Sequence, residues 1–93
     1  MRYSVRLSDQ AAEDLADIVL FGARDNPAAA EKLGLALVET AFSLATFPYR
    51  GQQMKSRPKA RRLIYGKYLI IYEAREADRH VEILRFLHGA RIR

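Results

Sequence analysis

The chain has 93 residues, no cysteine and a formal net charge of +5. This length suffices for one modest hydrophobic core, so residues 1–93 are predicted to form a single domain. The absence of cysteine excludes disulfides, thiol catalysis and cysteine-ligated zinc, and it is compatible with a reducing cytosol. Because no apolar run reaches the length of a membrane span and no signal-peptide core follows the N-terminal residues, we expect a soluble, cytoplasmic protein with no membrane partner.

The charge is unevenly distributed along the chain. Residues 1–49 carry four Lys or Arg against seven Asp or Glu, whereas residues 50–93 carry twelve against four. A local excess of positive charge attracts acidic proteins and nucleic acids, and salt weakens that attraction. The C-terminal half is therefore predicted to contact a negatively charged partner of one of these two classes.

The N-terminal half predicts one strand and two helices. Residues 3–7 alternate apolar and polar side chains, as a strand with one buried face does. Ser8 is suited to cap a helix over residues 9–24, whose apolar positions recur at helical spacing. Asn26 and Pro27 suit the N-cap and the first position of a second helix, which is expected to end at residues 46–48.

The second predicted helix has two apolar sides. One side, predicted to pack on the first helix and the sheet, is formed by Ala30, Leu33, Leu37, Ala41 and Leu44. A second apolar line consists of Leu35, Val38 and Phe42. Because one helix face suffices for packing within the domain, this second line is predicted to bind a separate chain.

The C-terminal half predicts a meander of three strands. Runs rich in β-branched and aromatic residues cover Leu63–Tyr65, Tyr68–Ala74 and Val81–Leu87, with short polar connections that make neighbouring strands antiparallel. The middle run is apolar on both pleat faces, so cover is expected on both. Residues 49–60 carry cations without periodicity and are predicted to be a basic loop. The resulting order βααβββ indicates an α+β domain, with a helical hairpin on one face of an antiparallel sheet.

The sequence contains four short blocks in a characteristic order: Asn26–Ala30, Phe47–Pro48, Gly66–Tyr72 and Ile83–Arg91. Their residues and spacing resemble the ParE branch of the RelE/ParE toxins, the toxin halves of bacterial type II toxin–antitoxin pairs. The resemblance covers nearly the whole chain and implies the same βααβββ fold. It also implies a cognate antitoxin, expected to be acidic and partly disordered in the C-terminal segment that wraps the toxin.

Two activities follow from this resemblance, because ParE proteins act on DNA gyrase whereas RelE-like relatives cut mRNA on the ribosome. A ribonuclease would need a base of near-neutral pKa and cations beside the crowded phosphate, roles open to His88, Arg62 and Arg85. RelE-type sites also use an aromatic near the C-terminus, and no aromatic follows Phe86. We therefore expect a gyrase inhibitor and assign no catalytic residue. A small basic RNA-binding module, using the tyrosines of the sheet for stacking, is a further alternative.

The candidate binding residues fall into two groups. For the target, the basic C-terminal end offers His88, Arg91 and Arg93. For the antitoxin, the candidates are the second apolar line and three arginines: Leu35, Val38, Phe42, Arg61, Arg62 and Arg85. Arg61 and Arg62 could instead be charges that protect an edge strand from aggregation.

Arg85 requires a partner of its own. The predicted strand places it on the same face as Val81, Ile83 and Leu87, so its guanidinium must extend to solvent or pair with a carboxylate such as Glu73. No cofactor is expected. No metal site is expected either, because the two histidines are eight residues apart, about 26 Å along an extended strand, which is too far for both to bind one ion.

Overall fold

Two helices pack on one face of a five-stranded sheet in the computed structural model, which describes residues 2–89. The elements in chain order are β1 (Ser4–Leu7), α1 (Asp9–Ala23), α2 (Pro27–Phe42), a 3₁₀ turn (Ser43–Ala45), β2 (Gln52–Gln53), β3 (Ala60–Tyr65), β4 (Tyr68–Arg75) and β5 (His80–His88). The strand order across the sheet is β1-β5-β4-β3-β2. The predicted α+β class, the helical hairpin and the C-terminal meander are confirmed.

Both predicted helix caps are present. The Ser8 hydroxyl accepts the Ala11 N–H at 3.0 Å, and the Asn26 side chain accepts the Ala29 N–H at 3.1 Å. Pro27 occupies the first turn of α2, where its missing N–H leaves no helical hydrogen bond unmade. Local chemistry therefore determines where each helix begins.

The sheet differs from the prediction in its first strand. β1 pairs with β5 in parallel, with Ser4 beside His80 and Leu7 beside Ile83, so the prediction of a wholly antiparallel sheet was wrong. The reason is topological: β1 and β5 are joined through the helical hairpin and the meander, so no tight turn forces them to run in opposite directions. The three meander strands pair antiparallel as predicted.

The segment predicted as a basic loop contains a further strand. Gln52 and Gln53 of β2 pair antiparallel with Arg62 and Arg61. β2 consists of two polar residues, which show no apolar periodicity. β3 begins at Ala60, and the prediction placed its start at Leu63 because Arg61 and Arg62 interrupt its run of apolar residues. The sequence pattern therefore could not locate this edge of the sheet.

The core lies between the helices and the sheet. Its buried residues are Ala11, Leu37, Ala41, Leu44, Ile70, Tyr72, Val81, Ile83 and Phe86. The first apolar line of α2 faces this core, as predicted. On the opposite face of the sheet Ile71 is also buried, whereas Ile64 is 64% exposed. None of the helices within residues 2–89 is long and apolar enough to cross a membrane.

Candidate functional site

The outer edge of β5 is covered by two different elements. β1 pairs only with the first four residues of β5, from His80 to Ile83. Beyond that point side chains at the start of α1 replace a strand: the Ser8 hydroxyl donates to the Leu84 carbonyl at 3.1 Å, and Asp14 accepts the Phe86 N–H at 3.1 Å. The helix therefore satisfies backbone groups that would otherwise form an open sheet edge.

Asp14 is also the partner of Arg85. Arg85 Nε and Nη2 donate to the two carboxylate oxygens at 2.7 and 3.1 Å, and Gln10 donates to one of them at 3.0 Å. Burial by itself would raise the pKa of Asp14, but the hydrogen bonds from Arg85, Gln10 and the Phe86 N–H outweigh it and hold this pKa below its ordinary value of 3.8. Asp14 is therefore a buried, ionised link between α1 and β5.

Arg85 pairs with a carboxylate, which was one of the two predicted alternatives, but the partner is Asp14 and not Glu73, which binds Arg57 at 3.2 Å. The cause is an irregularity in β5: Ile83 is opposite Tyr72 but Arg85 is opposite Ile71, so Leu84 is an extra residue. This bulge places Phe86, rather than Arg85, in line with Val81 and Ile83 towards the core. A one-residue shift of this kind cannot be located from the sequence, because the residues on either side of it are all typical of a strand.

His88 lies at the end of β5, beside Tyr68. The two rings meet edge to face with their centroids 5.2 Å apart. Together they form part of a groove of roughly 570 Å³ that is also lined by Asp17, Ile18, Leu20, Phe21 and Arg24 of the last turns of α1 and its C-cap. Leu20 and Phe21 are 68% and 61% exposed. Sequence reasoning missed this groove; the available signal was a pair of apolar residues outside the buried stripe of α1.

The three residues of the ribonuclease hypothesis do not converge. His88 pairs in register with Tyr68, which packs against the core on the helix-covered face. Arg62 and Arg85 both lie in register with Ile71, in a row on the opposite pleat. The Arg85 guanidinium is bound to Asp14. The sheet thus separates the candidate base from Arg62.

Arg61 and Arg62 help to position the chain around β2. Arg61 donates to the carbonyls of Tyr49 and Gly51 at 3.1 and 2.8 Å and lies over the Tyr49 ring at 5.2 Å. Arg62 donates to the Gln52 side chain at 3.1 Å. All of these acceptors are neutral, so the hydrogen bonds order the two guanidinium groups without cancelling their charge.

The second apolar line of α2 is accessible among the described residues. Leu35 and Phe42 are 59% and 44% exposed, and Val38 between them is half-buried. By contrast Tyr72, one of the tyrosines considered for base stacking, is fully buried, and its hydroxyl accepts the Gly51 N–H at 2.9 Å. Arg91 and Arg93 lie outside the described residues.

His80 is part of a polar cluster on β1 and β5. Its ring nitrogens lie 3.1 Å from the Ser4 hydroxyl and 2.8 Å from Glu82, which also binds Arg6. No group of three His, Cys, Asp or Glu side chains within residues 2–89 is arranged to hold a metal ion. The exposed features described above include apolar and basic surfaces of the kind that bind macromolecules.

Comparison with solved structures identifies the class of protein. The fold matches a chain of the toxin–antitoxin complex RelBE2 from Mycobacterium tuberculosis with a TM-score of 0.76 and 26% identity, covering 95% of this chain and 99% of the other. It also matches a chain of the chromosomal ParDE toxin–antitoxin system of P. aeruginosa, with a TM-score of 0.78 and 21% identity over 94% and 96% of the two chains. The architecture is therefore that of the RelE/ParE-like toxins.

The family follows from the sequence. The profile of the ParE toxin of type II toxin–antitoxin system, parDE, matches residues 5–93. The chain thus belongs to the ParE toxin family, which confirms the resemblance inferred from the four sequence blocks. No curated protein matches the chain.

Proposed function

We propose that this ParE-type toxin inhibits DNA gyrase by binding to it, and that a cognate antitoxin neutralises it. The observation that carries this proposal is the separation of His88 from Arg62 by the sheet, together with the engagement of Arg85 by Asp14. Cleavage of RNA requires a base and cations held around one phosphate, and poor positioning alone costs about a hundredfold in rate. A binding mechanism needs no such convergence.

In this proposal the basic C-terminal end of the chain contacts the target. His88 borders the groove formed with the end of α1, and the sequence continues from there to Arg91 and Arg93. The exposed Leu20 and Phe21 line the same groove as His88 and Arg24 and supply apolar surface there. An apolar patch beside charged residues is the composition expected of a protein-binding surface.

The test uses the 93-residue chain purified free of antitoxin and added to gyrase in a supercoiling assay. We expect inhibition by the wild-type chain and a loss of inhibition of at least tenfold in an Arg91→Gln/Arg93→Gln variant, because charged contacts at such an interface steer and hold the partner. A variant with Arg2→Gln and Lys32→Gln removes the same charge elsewhere and should inhibit like the wild type. Uninhibited supercoiling at saturating toxin would contradict the proposal.

A RelE-like mRNA endonuclease is the second candidate, favoured by the similarity to a chain of the RelBE2 complex. It predicts cleavage of mRNA on translating ribosomes that disappears in a His88→Ala variant. Running both assays on the same preparation decides between the two. Ribosome-dependent cleavage with supercoiling untouched would make the nuclease the function of this chain.

The antitoxin is proposed to cover the second apolar line of α2. We expect a Leu35→Ser/Phe42→Ser variant to keep its thermal stability, since both side chains are exposed. It should bind the antitoxin about 10- to 100-fold more weakly, because truncating an apolar anchor of an interface costs about 1 kcal/mol or more and about 1.4 kcal/mol is tenfold in affinity. Calorimetric titration with the antitoxin encoded by the neighbouring reading frame measures this loss.

The control for that titration is Phe47→Ser, an aromatic outside α2 that is 64% exposed, against 44% for Phe42. Equal weakening by this control would assign the antitoxin to another surface. Among the candidate arginines, Arg62 has no carboxylate partner within the part of the chain that the structure describes, so its charge is available to an acidic antitoxin, whereas the charge of Arg85 is balanced by Asp14. Arg61 is half-buried and holds backbone carbonyls.

A further inference from the structure

The edge of the sheet formed by β2 and β3 carries an unusual charge distribution. Between Glu39 and Glu73 the sequence contains no acidic residue but seven Lys or Arg. Six of the seven belong to β2, β3 and the loops around them: Arg50, Lys55, Arg57, Lys59, Arg61 and Arg62. We call these six residues the basic edge.

The backbone that carries the basic edge is held in place by hydrogen bonds. Met54 N–H donates to the Ala60 carbonyl at 3.0 Å, and Ala60 N–H donates to the Arg57 carbonyl at 2.8 Å. The Gln53 side chain donates to the Pro58 carbonyl at 2.7 Å. The loop between β2 and β3 therefore presents Lys55, Arg57 and Lys59 from a closed turn, which lowers the conformational entropy lost on binding.

Most of these charges are ordered but not neutralised. Arg50 donates to the Ser43 hydroxyl at 2.7 Å, and Arg61 and Arg62 donate to carbonyl and amide oxygens. Of these six residues, Arg57 alone forms an ion pair with another residue of the described range 2–89, binding Glu73 at 3.2 Å. Lys55 and Lys59 are exposed. Such an array suits a partner with regularly repeated negative charges.

A groove beside the basic edge provides an anchoring point. It has a volume of roughly 430 Å³ and is lined by Tyr49, Pro58, Lys59, Arg61, Glu73, Ala74 and Arg75. Lys59 and Arg61 reach it from the basic edge and Arg75 from β4. Arg75 also pairs with Asp78 at 3.5 Å, and the Glu73 carboxylate in this groove is held by Arg57 at 3.2 Å. Lys59 and Arg61 are therefore the cations available to a phosphate here, through charge-assisted hydrogen bonds.

We propose that the basic edge binds the phosphate backbone of duplex DNA. Within the proposed function this means that the toxin contacts the DNA held by gyrase as well as gyrase itself, so the choice of DNA as partner rests on that function. The contact is with phosphates, because the exposed groups are Lys and Arg side chains on a sheet edge rather than an element shaped to enter a groove. Binding is therefore independent of base sequence.

The experiment measures binding of the antitoxin-free 93-residue chain to a fluorescently labelled 20-base-pair duplex of arbitrary sequence, by anisotropy, at several salt concentrations. Each phosphate contact adds about 0.9 to the slope of log affinity against log salt concentration. A Lys55→Gln/Lys59→Gln variant should bind more weakly and show a slope reduced by about one for each lysine. Both lysines are exposed, so their replacement should leave the fold intact.

The matched control is the Arg2→Gln/Lys32→Gln variant, which has the same net charge. Arg2 precedes β1, at the opposite edge of the sheet from β2. Unchanged affinity and slope in this control support the basic edge as the site. Equal losses in both variants would show attraction by overall charge only and would overturn the proposal.

A further measurement tests the identity of the partner. Tighter binding of single-stranded RNA of equal length would overturn the assignment to duplex DNA. Supercoiling assays on the same variants separate this inference from the proposed function. Inhibition of gyrase without duplex binding would overturn only the proposal that the basic edge binds DNA. Duplex binding without inhibition would overturn only the proposal that the chain inhibits gyrase.

Discussion

Replacing Asp14 with alanine is expected to lower the free energy of unfolding by about 3 kcal/mol, because it leaves the Phe86 N–H and the Arg85 guanidinium without their acceptor. The carboxylate side chain is only 9% exposed, so water cannot readily replace it. Urea denaturation at pH 7, followed by circular dichroism, measures the change. A loss below about 1 kcal/mol would show that α1 does not depend on this link to β5.

The matched variant is Arg85→Ala, which removes the cation but leaves Asp14 its hydrogen bonds from Gln10 and the Phe86 N–H. We expect it to cost about half as much, since the Arg85 side chain is 44% exposed and exposed ion pairs contribute little. If Arg85→Ala proved as costly as Asp14→Ala, the ion pair and not the cover of the strand edge would be the dominant contribution.

The same link predicts how stability depends on pH. The pKa of Asp14 is lowered in the folded chain, so its contribution is fully present above the ordinary value of 3.8 and is lost as the pH falls through the lower folded value. The stability difference between the wild type and Asp14→Ala should therefore shrink as the pH falls below 3.8. A difference that stayed constant down to pH 2 would contradict a lowered pKa for this carboxyl.

Replacing Tyr72 with leucine is expected to cost about 3 to 4 kcal/mol, since it opens a cavity in the core and removes the acceptor of the Gly51 N–H. Burial is also the main cause of the raised pKa of Tyr72. The control Tyr72→Phe keeps the ring and removes only the hydroxyl, so we expect a loss of about 1 to 2 kcal/mol.

Amide hydrogen exchange gives a second readout for the tyrosine. The Gly51 amide should exchange faster in Tyr72→Phe, while amides in α2 keep their protection. An unchanged Gly51 rate would mean that the hydroxyl does not hold the loop before β2. Gly51 is itself constrained, because a Cβ atom there would lie 2.6 Å from the Tyr72 hydroxyl oxygen and 2.8 Å from the Arg62 carbonyl oxygen. A larger residue would therefore disturb the start of the basic edge.

The sequence by itself determined the features that arise from local chemistry. Helix starts follow from Ser8 and from Asn26–Pro27, because a cap and its first-turn amides are three residues apart at most. The buried side of α2 and the existence of the three meander strands follow from periodicity, which is a property of adjacent residues. Family membership, too, was already visible in four short blocks and is confirmed by the match over residues 5–93.

The tertiary structure alone decided the features that depend on residues distant in sequence. Asp14 reads as an ordinary acidic residue near a helix start, and only the approach of α1 to β5 makes it the acceptor of Arg85 and the Phe86 N–H. The bulge at Leu84, the parallel pairing of β1 and the two-residue strand β2 likewise depend on which strand edges meet in space. The positions of His88 and Arg62 on opposite faces follow from that pairing, because register determines the face on which each side chain lies.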